Sequence, residues 1–237
     1  MDKIYGKIRA AIDKYDMIPE NAKVAVGVSG GKDSLVLLYC LAKISQYHPK
    51  KFTVTAITAD PAMNGEETDY SAVQKLCDEL NIEYIIRRTS LGKIIFEERK
   101  EKNPCSMCAR MRRGILHSMA LEAGCNILAL GHHGDDAVQT FMMNLLDGGS
   151  VSCFSPKSYL SRRDLWMIRP MIFCSEASVS SFAQLHDLPV VKSTCPVDGH
   201  TERKNVADII SHLEKEYPDL KAKIIGAMER AQINGWK

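Results

Sequence analysis

A chain of 237 residues with 45% hydrophobic and 25% charged residues can bury the core of one α/β domain, with room for a small appendage. No run of eighteen apolar residues occurs, which excludes a transmembrane helix, and Met1-Asp2-Lys3-Ile4-Tyr5-Gly6-Lys7 lacks the apolar stretch of a signal peptide, so a cytoplasmic protein is expected. The formal net charge of +2 says little about partners. Arg87-Arg88, Arg110 with Arg112-Arg113, and Arg162-Arg163 are candidates for a phosphate-binding face, and equally for a solvated surface.

Residues 1–20 read as a helix, with Ile4, Ile8, Ile12 and Tyr15 at helical spacing before Pro19. A strand at 23–28 leads to a helix at about 34–46, and the strand Phe52–Ala59 leads to a helix at about 67–80. Glu83–Arg88 is a third strand, followed by a helix around 107–122 and the strand Asn126–Gly131. A helix at about 135–147 ends at Gly148-Gly149, and beyond 176 the pattern is mainly helical, broken by Pro189, Cys195-Pro196 and Pro218. Alternating apolar strands and amphipathic helices predict a Rossmann-like, mostly parallel sheet flanked by helices, as one domain over 1–237 with a helical C-terminal part from about 176. Ligands of such sheets gather at the carboxyl ends of strands, where the 29–34 turn, Thr58-Ala59-Asp60 and Gly131-His132-His133 fall.

The first of these turns, Ser29-Gly30-Gly31-Lys32-Asp33-Ser34, joins the apolar strand Val24-Ala25-Val26-Gly27-Val28 to the helix opened by Leu35. Free backbone N–H groups and the positive end of a helix dipole converge there, two glycines allow close approach, two serines offer hydroxyls, and Lys32 adds a mobile cation. A phosphate site follows. It is not a Walker A loop, which would need glycine at Val26 and Ser or Thr at Asp33. The string resembles the PP-loop of the ATP pyrophosphatases, which split ATP into AMP and pyrophosphate to adenylate a substrate; that resemblance implies nucleotide contacts from Val28, Ser29, Gly30, Gly31, Lys32, Asp33 and Ser34.

Eight cysteines in a reducing compartment do not predict structural disulfides. Cys40, Cys77 and Cys125 fit apolar patterns as small core residues, and Cys153 and Cys174 lack close partners. Cys105 and Cys108, in Pro104-Cys105-Ser106-Met107-Cys108, set two thiols one turn apart at a helix start, where the dipole and Arg110, Arg112 and Arg113 favour thiolates. Cys195, before Pro196, is a third candidate. Three readings stay open for them: a [4Fe–4S] cluster with one open iron, a Cys₃His zinc site completed by His200, or a redox pair at 105 and 108.

Taken together, the 29–34 loop, Cys105-Ser106-Met107-Cys108-Ala109-Arg110-Met111-Arg112-Arg113-Gly114, Gly131-His132-His133-Gly134-Asp135-Asp136 and Ile168-Arg169-Pro170 resemble the tRNA 2-thiocytidine synthetase family. The likeness runs to about residue 231, and the chain departs from the pattern at Thr194-Cys195-Pro196-Val197-Asp198-Gly199-His200. The resemblance implies an ATP-dependent sulfur transferase using Mg²⁺ and a [4Fe–4S] cluster on Cys105, Cys108 and Cys195, acting on an anticodon-loop cytidine of tRNA. Sulfur would come from inorganic sulfide or a cysteine desulfurase, and a homodimer is left open. By the same resemblance Asp136 is the catalytic carboxylate and Gly131 contacts the nucleotide, while Lys32 acts at the phosphates and Arg112 stands as a cation between cluster and nucleotide. Asp33, Asp135 and Asp136 are the carboxylates placed to support the metal or orient the base, and one of the last two is also expected to cap a helix. Ala59 and Asp60 are expected at the adenosine, Asp60 on a ribose hydroxyl, and His132 and His133 are expected in proton shuttling or in capping. Two rivals are carried: a PP-loop ligase resembling tRNA lysidine synthetase with a structural zinc, and a non-catalytic nucleotide-binding module.

Overall fold

In a computed structural model, residues 3–99, 104–192 and 202–237 are described. Strand β1 (Ala22–Gly27) lies at the centre of a six-stranded sheet of order β3-β2-β1-β4-β6-β5, flanked by β2 (Phe52–Asp60), β3 (Glu83–Arg88), β4 (Ile127–Ala129), β6 (Leu165–Ile168) and the edge strand β5 (Lys157–Leu160). Among the described residues five strands run parallel, and β5 is antiparallel, paired to β6. Val24 sits between Val54 and Ile127, and its neighbours are apolar because both faces of the strand are covered.

Helices α1 (Lys3–Lys14), α2 (Lys32–Tyr47) and α7 (Glu176–Leu185) cover one face, where Val24 and Val26 meet Ile8, Leu35, Leu38 and Phe182. Helix α5 (Pro104–Glu122) covers the other, where Ala25, Ile57, Leu128 and Leu165 meet Met119 and Ala120. Helix α3 (Ser71–Glu79) crosses between β2 and β3. Helix α6 (Gly134–Leu146) packs through Val138 against Val206 and Ile210 of α8 (Glu202–Glu216), and α9 (Leu220–Arg230) lies beside it.

The sequence pattern missed three pieces. A short α4 (Leu91–Lys93) runs into a π-turn at Ile94–Glu98, and the β5–β6 hairpin occupies a stretch to which the sequence pattern assigned no element. Four-residue strands with the mixed pattern Lys157-Ser158-Tyr159-Leu160 are half-exposed and give little periodicity to detect. Helix α5 begins at Pro104, earlier than expected, since proline suits a first helical turn. Among the described residues, no helix is long and apolar enough to cross a membrane.

Candidate active site

The carboxyl ends of β1 and β4 diverge at the point where strand order reverses, and a cavity of about 510 Å³ opens there. Its floor is made by Val28, Ser29, Asp33 and Ser34 of the 28–34 turn, while Gly30 and Gly31 of the same turn do not line it. Gly31 is the N-cap of α2 and makes no side-chain cap bond, which leaves the first N–H groups of that helix for a ligand. The loop is held by its serines: Ser29 N–H donates to Ser34 Oγ (3.1 Å), Gly31 N–H to Ser29 Oγ (3.3 Å), and Ser34 Oγ to the Gly31 carbonyl (2.8 Å). Gly30 has φ +84°, and a Cβ there would come within 2.9 Å of Val191 Cβ, so only glycine fits. Thr58, fully buried, ties the Val28 carbonyl to β2 through its hydroxyl (2.7 Å).

Val28, Ser29, Asp33, Ser34, Ala59 and Gly131 line the cavity as their sequence positions suggested. Gly131 is pressed on the loop: a Cβ added to it would stand 3.1 Å from the backbone of Asp33 and Ser34. Lys32 does not line the cavity. Its Nζ bonds Asp33 Oδ1 and Glu176 Oε1, both at 2.9 Å; burial pulls the ammonium down, but these two carboxylates outweigh it and hold the pKa above the ordinary lysine value.

Asp60 departs from its expected place at a ribose. It is fully buried and does not line the cavity. Its carboxylate accepts from Ala62 N–H (3.2 Å), Thr68 N–H (3.0 Å), Thr68 Oγ1 (3.2 Å) and Arg88 Nη1 (2.5 Å). Burial works to raise its pKa, and this bonding overrides it and leaves the group below the usual carboxylate value. Asp60 therefore braces the β2 exit loop.

The two aspartates that open α6 have separate surroundings. Asp136 lines the cavity, closes a capping box with His133 (Asp136 Oδ2 accepts from His133 N–H, 3.0 Å) and pairs with Arg203 Nη1 (2.5 Å). Asp135 faces a second cavity on the far side, accepting from Glu176 N–H (2.8 Å) and pairing with Lys221 (2.8 Å). Desolvation would raise its pKa, but Lys221 and the Glu176 amide keep it low. Asp135 is thus a buried strut and not a carboxylate at the reacting centre.

Helix α5 forms the wall facing the loop. Ala109, next to Cys108 in sequence, and Arg112 and Arg113, about one turn further along the helix, line the cavity. Cys195 and His200 lie outside the described residues. Cys77 and Cys125 are buried as expected, and so are Cys153 and Cys174. Burial pushes the thiols of Cys153 up to about 11 and of Cys77 and Cys174 to about 12, so all three stay protonated.

The remaining wall, on the β4–β6 side, carries His132, Thr140, Phe154, Arg169 and Arg203. Of these only His132 had a role assigned from sequence. Arg169 stood inside a recognised string without one, and Arg203, in a charged helix start, gave no signal. Arg169 is 6% exposed, stacks over Phe154 at 4.8 Å, and donates from Nη1 to the Ser155 carbonyl (2.6 Å). Burial lowers its pKa to about 10, and burial beside Arg169 and Arg203 drives that of His132 down to about 3, so this imidazole is neutral.

Comparison with known proteins agrees with this geometry. The family model described as "PP-loop domain" matches residues 3–208. The tRNA-cytidine(32) 2-sulfurtransferase of Syntrophotalea carbinolica is 35% identical over 98% of this chain and 91% of its own length. That of Geobacter metallireducens is 34% identical over 97% and 90%. Among solved structures, the U34-tRNA thiolase NcsA from Methanococcus maripaludis with its [4Fe-4S] cluster superposes with a TM-score of 0.78 at 33% identity, covering 96% of this chain and 78% of that one. An NH3-dependent NAD synthetase from Campylobacter jejuni shares the fold alone, with a TM-score of 0.51 at 16% identity. A phosphate-binding turn, a cysteine-bearing helix and a cavity between them, in a chain alike over nearly its full length, place this protein in the PP-loop family and, within it, among the tRNA-cytidine(32) 2-sulfurtransferases.

Proposed function

We propose that this protein is an ATP-dependent tRNA thiolase that replaces the 2-oxygen of cytidine 32 with sulfur, working in the cytoplasm as one catalytic unit over 1–237. The observation that carries this is a cavity lined jointly by the phosphate turn (Ser29, Asp33, Ser34) and by Arg112 and Arg113 of the cysteine-bearing helix. A ligase or a nucleotide sensor has no need of a Cys-x-x-Cys pair on the helix that walls its cavity.

The C2 oxygen of cytosine is a poor leaving group, so it must be activated. Its attack on the α-phosphorus of ATP forms a P–O bond as the bond to pyrophosphate breaks. A C2–S bond then forms as the C2–O bond breaks and AMP leaves. Ser29, Ser34 and the free N–H groups of α2 would hold the departing pyrophosphate, and Lys32 would turn from Glu176 to join them. Asp33 and Asp136, the two carboxylates on the cavity, fit Mg²⁺ as hard oxygen donors. Two cysteines on the first turn of α5, one turn before Arg112 and Arg113, fit a thiolate-bound cluster, with Cys195 as the third ligand. When bound, the [4Fe–4S] cluster would supply sulfide-level sulfur, taken from inorganic sulfide directly or from a cysteine desulfurase's persulfide together with a two-electron thiol reductant. Arg112 would neutralise the developing AMP charge.

The test is anaerobic incubation of cluster-loaded protein with ATP, Mg²⁺, sulfide and unmodified tRNA, followed by nucleoside mass spectrometry. 2-Thiocytidine with matching AMP and pyrophosphate is expected. AMP without a thiolated base, or 2-thiouridine alone, overturns the assignment.

A further inference from the structure

Five buried side-chain polar atoms have no hydrogen-bond partner among the described residues, and three of them, His132 Nδ1, Thr140 Oγ1 and Arg169 Nε, belong to residues lining the candidate catalytic cavity. Buried polar groups are almost always paired, so three deficits on one wall call for a missing partner. Arg169 adds a charge deficit. It is buried, and no carboxylate pairs with it among the described residues; its contacts are the Ser155 carbonyl and the Phe154 ring. Removing a guanidinium from water without a counter-charge is costly, and a ligand's acceptors can offset that cost.

Topology says which ligand. The phosphate turn follows β1 and Ala59 ends β2, so the nucleotide lies over the β1–β2 side of the cavity. His132 follows β4, Arg169 follows β6, and Phe154 touches both, its ring 5.2 Å from the imidazole. An in-line displacement at the α-phosphorus needs the attacking oxygen on the side opposite the departing pyrophosphate. Pyrophosphate departs toward the turn. The attacking base therefore comes from the β4–β6 side.

We infer that His132, Thr140 and Arg169, with Phe154 between His132 and Arg169, form the receptor for the pyrimidine base that is thiolated. This rests on the thiolase assignment and gives it a substrate subsite. Arg169 is a fixed donor suited to an acceptor on the cytosine ring, and Thr140 and neutral His132 can accept from its exocyclic amine. A phosphate would want donors throughout, whereas this wall also offers acceptor lone pairs on Thr140 Oγ1 and on one imidazole nitrogen. The groups facing this wall are Arg113, Arg203 and His133, with Cys153 behind Arg169.

The test compares anticodon stem–loop RNAs with cytidine or an abasic site at position 32, bound to cluster-loaded protein with a non-hydrolysable ATP analogue. The wild type should prefer the cytidine RNA by about tenfold. Thr140→Val, a near-isostere that removes only the hydroxyl, and Arg169→Gln should each reduce that preference to about twofold or less, with affinity for the ATP analogue within about twofold of wild type. Preference retained in both variants overturns the subsite. Loss of ATP-analogue affinity with the RNA preference unchanged overturns it too, and assigns the wall to the nucleotide. A wild type that thiolates cytidine 32 but does not distinguish the two RNAs overturns the subsite alone, whereas one that never thiolates strikes the assignment beneath it.

Discussion

Lys32 rests against Glu176 and Asp33 at 2.9 Å from each, outside the cavity it would serve. Its ammonium is positioned by side chains that do not build the core, which includes Val24, Val26, Leu35 and Leu38. Lys32→Ala should therefore slow AMP formation by the equivalent of about 2–4 kcal/mol of transition-state stabilisation while leaving the thermal midpoint nearly unchanged. Ser29→Ala should slow it likewise while also losing about 1 kcal/mol of stability with the turn's own hydrogen bonds. Wild-type AMP release in either variant would remove the turn from the mechanism. Asp135 behaves differently. Its carboxylate, held below the ordinary value of 3.8 by Lys221 and the Glu176 amide, gives stability that is fully present above that value and is lost as pH falls through the lower folded value. Asp135→Asn should cost about 1.5–3 kcal/mol near neutral pH, and the gap to wild type should close on acidification below about pH 4. Denaturant titrations at both pH values measure it, and a gap that does not change with pH would contradict the pairing.

At the scale of elements, the β1–turn–α2 junction was fully legible because the continuous apolar strand, the glycine pair and the serines that brace the turn all agree locally. So was the parallel sheet around it. The β5–β6 hairpin was not, since a four-residue edge strand with half-exposed residues has no period to read. Nor was the division of labour between Asp135 and Asp136, adjacent in sequence yet facing different cavities across α6. Asp60 shows the same limit: a strand-end aspartate looks like a ribose ligand until Thr68 and Arg88, eight and 28 residues away, fold onto it. Gly131 is an element-scale constraint that sequence order alone hides. An added Cβ would stand 3.1 Å from the Asp33 carbonyl and Ser34 nitrogen, so Gly131→Ala should push the β4 exit off the turn and raise KM for ATP. Gly114→Ala, where nothing lies within 4 Å, should instead stabilise α5 by about 0.5–1 kcal/mol and leave that KM alone. The cysteine helix gives the matching chemical test. Serine at Cys105, Cys108 or Cys195 should abolish both iron retention and thiolation, because a hard hydroxyl replaces thiolate poorly on iron. Serine at buried Cys77 or Cys125 should change only stability. Iron and sulfide analysis after anaerobic reconstitution reads both outcomes, and a full cluster on Cys195→Ser would remove it from the ligand set.

Across the whole molecule the charge is nearly balanced, at +2, but its distribution is not. Four arginines, Arg112, Arg113, Arg169 and Arg203, line the cavity against two aspartates, and both aspartates are already paired, Asp33 with Lys32 and Asp136 with Arg203. That excess suits a polyanion at the mouth. Arg110 and Arg113 stand exposed on α5 near this opening. Arg162 and Arg163 do not: β6 runs parallel to β4, so the hairpin turn lies at the amino end of β6 and Arg169 at the other. Arg163 still reaches the flank of α5, since it and Arg113 both add to the depression of the His117 pKa that burial begins. RNA affinity should thus fall steeply with salt, and each lost phosphate contact should flatten the log–log slope by about 0.7–0.9. Arg110→Ala with Arg113→Ala should weaken binding and reduce the slope by well over one unit. Arg162→Ala should leave both unchanged, because a tRNA seated over the cavity does not extend to the opposite end of the sheet along that edge. Filter binding of anticodon stem–loop RNA across a salt series decides it. An equal loss of slope from Arg162→Ala would mean that the RNA wraps the α5 flank down to the hairpin.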